Sequence, residues 1–340
     1  MQFLLDLSAE TWLMIGFGLL ILIFLILDLG ILHKHAEKIS TRSALLQTLF
    51  WVSISLSFAF LIWKFDGGTP AERSKNAVDY LTAYLMEWAL SVDNLFIILL
   101  ILRYFKIAEN LYHKVLFWGI MGALVMRGTF ITVAWQLIEH FHFILYVFGG
   151  FLVFTGFKML NSSGQEEFNP NDNWIVKFAR KNFRLTDEFN GENFTLKKAG
   201  KLYFTPLFLV ILLIESTDLI FALDSIPAVF AISQNPFIVY TSNIFAVMGL
   251  RALFFLLADI MDRFHYLQRA LSFILMFIGI KMLLAISGEP WFMELTGMDL
   301  GIHIPAWVSL LVILTVLSGA ILFSLYGPPP EEEDMPDREA

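Results

Sequence analysis

Five carboxylates, Glu87, Asp93, Glu215, Asp218 and Asp224, lie inside long apolar runs of this chain. An acid at the centre of a membrane helix costs about 2.5 to 3.5 kcal/mol. Five uncompensated ones would sum to roughly 15 kcal/mol, the scale of a whole domain's stability. The groups able to neutralise them are protons, the intramembrane arginines Arg127 and Arg251, or a metal cation. Asn94 and Ser225 stand next to two of the acids and add neutral oxygen donors. Oxygen-only ligands select hard divalent cations, and nearby methionine and asparagine shift the balance toward manganese over magnesium or calcium. Five acids less two arginines leave three negative charges, which suits one divalent ion with a proton to spare.

Glu215 and Asp218 are three apart and share a helix face. Asp218 and Asp224 are six apart, as are Glu87 and Asp93, and that spacing does not share a face in a regular helix. Bringing each pair together needs a break. Pro227 removes the amide that would bond the Leu223 carbonyl, so a break with a freed carbonyl is expected at Leu223 and Pro227. In the first segment Ser91 and Asn94 offer similar oxygen chemistry without a proline.

The elements that must carry these residues are membrane helices. Hydrophobic residues make up 57% of the 340-residue chain against 16% charged, and they gather in blocks close to the roughly 20 residues a span needs. Nine spans are expected, at about 11–32, 43–63, 79–102, 115–136, 141–160, 203–230, 237–258, 267–287 and 305–326. The class is an all-α polytopic membrane protein. Placing the N-terminus outside puts sixteen Lys and Arg residues on the inner connections and tail and three on the outer ones. The positive-inside rule then gives N-out, C-in. The net charge of -8 adds little, because much of it sits in the tail and the membrane acids. No cysteine is present, which removes disulfides, thiolate ligands and thiol redox chemistry. No nucleotide loop, nucleophile elbow or zinc-peptidase pattern occurs, so neither an enzyme nor a nucleic-acid binder is expected. Lys158 and Lys281 end their helices and are expected to snorkel to the headgroups.

An internal repeat organises the chain. Residues 87–94, EWALSVDN, match residues 218–225, DLIFALDS, acid for acid at an offset of 131. Arg127 corresponds to Arg251 at an offset of 124, and TGFKML (155–160) to IGIKML (278–283) at 123. Three spans separate equivalent positions, so the second unit is expected upside down relative to the first, as in many secondary transporters with a midplane site. The divisions are two N-terminal helices over 1–78, a first three-helix repeat over 79–160, a basic cytoplasmic loop over 161–202, a second repeat over 203–287, a last helix within 288–326 and an acidic, disordered tail over 327–340. Within the loop, DNWIVKFARKNFR (172–184) sets Trp174, Ile175, Phe178 and Phe183 among basic residues, which suits a short helix on the anionic inner leaflet.

The segments MEWALSVDNLFI (86–97), IESTDLIFALDSIPAVFAIS (214–233), PFIVYTSNIFAVMGLRALFFLL (236–257) and GIKMLL (279–284) closely resemble the TerC family of integral membrane proteins, particularly its Alx-like members. The resemblance covers nearly the whole chain. It implies a likeness to LysE-type exporters and their inverted 3+3 helix repeat. It places the family's acidic residues on Glu87, Asp93, Glu215, Asp218 and Asp224, beside Asn94 and Ser225. The family is named for tellurium resistance, and members are associated with manganese export and with supplying metal to secreted enzymes. The expected function is proton-coupled efflux of a divalent cation, manganese first, with no prosthetic group. The alternatives are transport of calcium or another divalent ion, or a non-transporting accessory that hands metal to secreted proteins or confers tellurite resistance. Expected partners are the cation, the lipid bilayer, and contacts with the secretion machinery or a second copy.

Overall fold

The computed structural model describes residues 9–32, 41–141, 143–161, 174–198, 200–258, 266–286, 302 and 304–326. The acidic tail 327–340 lies outside the described residues, as do the side chains of Asp93 and Trp174.

The described chain is a helical bundle. In order it forms α1 (Ala9–Leu32), α2 (Thr41–Phe65), α3 (Pro70–Tyr104), a 3-10 turn (Glu109–Leu111), α4 (Tyr112–His140), α5 (Ile144–Asn161) and α6 (Trp174–Asn182). A hairpin of β1 (Thr195–Lys198) and β2 (Lys201–Phe204) follows, then α7 (Pro206–Ile232), α8 (Pro236–Leu257), α9 (Leu267–Ile286) and α10 (Ala306–Tyr326). Among the described residues, eight helices are long and apolar enough to cross a membrane, and Leu13–Ile26 within α1 is a further, shorter apolar helix. The polytopic all-α class expected from composition holds, with the two-stranded hairpin added to it.

Three of the long helices have their starts written in the sequence. Thr69 caps α3 with a full capping box: the Glu72 amide donates to Thr69 Oγ1 (3.3 Å) and the Thr69 amide to Glu72 Oε2 (2.7 Å). Pro70, Pro206 and Pro236 occupy first-turn positions, where the missing amide costs nothing. Asn235 Oδ1 accepts from the Phe237 amide at 2.9 Å to cap α8.

The helices α3, α4, α7 and α8 form the centre, with α2 against α3 and α8, and α5 paired with α9 along one side. The α5–α9 contact is backbone-close. A β-carbon at Gly156 would stand 2.8 Å from the Ser272 carbonyl oxygen, and one at Gly279 would stand 2.8 Å from that of Gly149. Small residues are what let membrane helices approach this far.

The connecting segment folds more than its polarity suggests. Helix α6 forms, but it seats on the protein: Val176 and Ala179 are fully buried against residues of α7, while Phe178 stays 54% exposed. Phe183 packs on Phe204 and Phe208, with ring centroids 5.3 and 5.5 Å apart. The expectation of a helix lying on the leaflet through Ile175, Phe178 and Phe183 is corrected to this extent, because protein packing takes the Phe183 ring.

Helix α7 runs unbroken from Pro206 to Ile232 with Pro227 inside it. The expected break at Leu223 and Pro227 is therefore absent. One lost amide bond is tolerated in a membrane helix whose neighbours hold it, and residues 225–230 are all buried in the bundle. Leu223 points away, 52% exposed.

Candidate functional site

The apolar interior is divided. One cluster takes Ala89 and Val92 of α3, Ala123 of α4, and Leu213 and Ile214 of α7. A second takes Ala83 and Met86 of α3, Ile131 of α4, and Ala222 and Ile226 of α7. On each helix the residue between the two clusters is charged: Glu87 on α3, Arg127 on α4 and Asp218 on α7. A polar belt thus crosses the bundle midway along these helices.

Arg127 joins the belt. It is 2% exposed and forms ion pairs with Glu87, itself fully buried, and with Asp218. The Asp218 pairing is bidentate, Nη2 to Oδ1 at 2.9 Å and Nε to Oδ2 at 3.3 Å, the geometry a planar guanidinium holds best. Asn94 Nδ2 donates to Asp218 Oδ1 at 3.4 Å, so α3 touches the same carboxylate. Glu87 and Asp218, which the sequence match pairs at an offset of 131, are held by one cation. A buried charge left without this partner would be strongly destabilising.

Around this triad lie polar atoms with no hydrogen-bond partner: Glu87 Oε2, Ser91 Oγ and Asn94 Oδ1 on α3, and Glu215 Oε2 and Ser225 Oγ on α7. Positions 87, 91 and 94 form one face of α3, and 215, 218, 222 and 225 form one face of α7. The Glu215 carboxylate lies against Gly122, where a β-carbon would oblige it to shift.

The structure does not gather all the sequence candidates. With α7 unbroken, Asp224 turns away from Asp218 and faces Thr155 and Lys158 of α5. Among the described residues, no three acidic or histidine side chains converge closely enough to hold a metal by themselves. Arg251 lines a small cavity beside Gln47 and Trp51 of α2 and Phe117 and Ile120 of α4.

Two polar groups escape a reading by motif. Lys281 does not snorkel as expected; it is 7% exposed and its Nζ donates to Ser309 Oγ of α10 at 2.8 Å. α10 packs against α9 and covers the lysine, whereas its repeat counterpart Lys158 is exposed. Asp79 of α3 is 1% exposed, pairs with Lys75 at 2.8 Å, and feels the Lys281 charge. Its position two turns before Glu87, in a helix that continues to Tyr104, is the signal in the sequence that could find it.

Comparison with known proteins agrees with the helical architecture. The profile of the "Integral membrane protein TerC family" matches residues 72–330. A protein of Photorhabdus laumondii named Alx, a proposed membrane-bound redox modulator, is 45% identical over 273 residues, covering 79% of this chain and 85% of that one. The Alx of Escherichia coli K12 is 41% identical over 305 residues, 89% and 90% of the two chains. An uncharacterised membrane protein of Myxococcus xanthus is 38% identical over 310 residues, 91% of each. No solved structure matches.

Proposed function

Since the chain belongs to the TerC family of integral membrane proteins, we propose that it exports a divalent cation, manganese first, in exchange for protons, from an inner membrane with its N-terminus outside. The observation that carries this reading is the Glu87–Arg127–Asp218 bridge between repeat-equivalent acids, set among unpartnered buried oxygens. Together with Glu215 these groups carry three negative charges and one positive when ionised, and a divalent ion neutralises the difference. Packed apolar clusters above and below the belt leave it as the polar waypoint of the helices that form it. In this arrangement Arg127 holds the place of the missing positive charge. Loading would move the guanidinium off one carboxylate and let the cation take its oxygens. Protons would replace the metal on release, because bare carboxylates close together repel one another. The inverted three-helix repeat would supply the two access states.

The Alx relatives are named for redox modulation. This chain has no cysteine for thiol exchange, so a redox effect here would act through the metal it moves rather than through a thiol. The competing reading, a non-transporting accessory that presents metal to secreted proteins, predicts binding without flux.

Purified protein in proteoliposomes separates these outcomes. Manganese uptake driven by a pH gradient, lost in Asp218→Asn and slower for calcium, supports the exporter. Metal binding with no flux under any gradient supports the accessory, and neither binding nor flux overturns the cation reading.

A further inference from the structure

The polar belt has a fourth member, on α8. Val239 packs with Ala83 and Met86 in one apolar cluster, and Val247 packs with Ala89 and Val92 in the other. Residues four before and four after a position share its helix face. Asn243 lies midway between them on that face, where the two apolar clusters meet. It is 1% exposed, and neither its Oδ1 nor its Nδ2 has a hydrogen-bond partner.

That is an unusual state for a carboxamide. Its neighbours Thr241 and Ser242 are as deeply buried, but their hydroxyls donate to the Phe237 and Ile238 carbonyls at 2.7 Å. Asn243 has no such outlet within the protein, and leaving both of its amide groups unpaired is costly. A leucine of similar size would pack there without that cost. A buried polar group that the resting protein leaves unsatisfied calls for a visitor that satisfies it.

We propose that Asn243 Oδ1 is a ligand of the transported divalent cation, a neutral oxygen supplied from the fourth helix of the belt. The inference rests on the cation-transport reading above. Hard divalent ions take six or more oxygens, and the belt's carboxylates balance charge before they fill the coordination shell. Neutral oxygens complete the shell without adding negative charge that would hold the ion too tightly to release. Ser91 Oγ on α3 and Ser225 Oγ on α7 are also buried and without protein partners, on the helix faces that carry Glu87 and Asp218. The belt's net negative charge favours a divalent ion over a monovalent one, and an amide oxygen is a strong dipole for it to bind.

The test is a manganese titration read as thermal stabilisation of the detergent-solubilised full chain, alongside flux, for wild type, Asn243→Leu, Asn243→Ala and Asn243→Asp. Asn243→Leu is expected to be at least as heat-stable as wild type without metal, yet to need tenfold or more manganese for the same stabilisation. Asn243→Asp keeps an oxygen ligand and is expected to retain stabilisation. Should Asn243→Leu fail to insert, Asn243→Ala carries the same expectation for metal affinity. A leucine or alanine variant with wild-type manganese affinity and flux overturns the role of Asn243 alone. A wild-type protein that neither gains stability from nor carries any divalent cation overturns the transport reading with it.

Discussion

Gly279 sits so close to Gly149 that a β-carbon on it would stand 2.8 Å from the Gly149 carbonyl oxygen. Under the repeat offset of 123, Gly279 corresponds to Gly156 and Ser272 to Gly149. The matching contact is also present: a β-carbon on Gly156 would meet the Ser272 carbonyl at 2.8 Å. A two-fold axis between α5 and α9 would exchange these two contacts. A backbone carbonyl stands in the way at both, so moving side chains alone would not make room.

Gly279→Val is accordingly expected to destabilise the protein by about 1 to 3 kcal/mol through overpacking. Gly150→Ala makes the control, since open space surrounds a β-carbon there. Thermal unfolding in detergent reads both, and an unchanged midpoint for Gly279→Val would show that α5 and α9 part without cost.

Arg127 bridges Glu87 and Asp218 with a single guanidinium. Arg127→Gln leaves two buried acids facing each other and is expected to cost about 3 to 5 kcal/mol. The triple variant with Glu87→Gln and Asp218→Asn removes the charges together and should recover most of that loss. No recovery would mean that Arg127 stabilises by packing, not charge. Arg127→Lys should fall between, because an ammonium cannot reproduce the fork on Asp218.

The two repeat-related lysines should behave differently. Lys281→Met strands the buried Ser309 hydroxyl and removes a positive neighbour from Asp79, at an expected cost of about 1 to 3 kcal/mol. Lys158→Met changes an exposed side chain, and although its charge faces Asp224 the screened loss should stay below about 1 kcal/mol. Equal effects would show that Lys281 spends its time at the surface.

Manganese affinity should weaken as pH falls, because protons and metal compete for the same carboxylate oxygens and binding metal releases protons. A titration at about pH 6, 7 and 8 is expected to show at least about a tenfold loss across that range. Affinity flat with pH would separate the site from any proton exchange.

Much of this architecture is legible in the residues alone. Apolar blocks near twenty residues must be spans, and acids inside them must find partners. What the residues do not show is which partner. Arg127 and Arg251 are equivalent in the repeat, and only the packing shows Arg127 between Glu87 and Asp218. Lys158 and Lys281 sit in the same Gly-x-Lys-Met-Leu pattern, but α10, which lies outside the repeat, covers only the second. Pro227 reads as a break because its missing amide is visible in sequence, whereas the burial that holds α7 straight is not. Asn243 reads as one polar residue in a Thr-Ser-Asn run, and its lack of partners emerges only with its neighbours in place. The hairpin after α6 is hidden by brevity, each strand being four residues long.

The guanidinium between Glu87 and Asp218 has an electrical consequence for a carrier. Each elementary charge moved across the membrane field is worth about 2.3 kcal/mol per 100 mV. A site that discharged its cargo and kept bare acids would drag that charge through the field on every return stroke. In the proposed cycle Arg127 would travel with the site as a permanent counter-ion and cancel one of its three negative charges. Two negative charges then remain on the empty site unless protons take them, whereas a divalent cation leaves the loaded site neutral, so in such a cycle sensitivity to membrane potential would concentrate in the unloaded half.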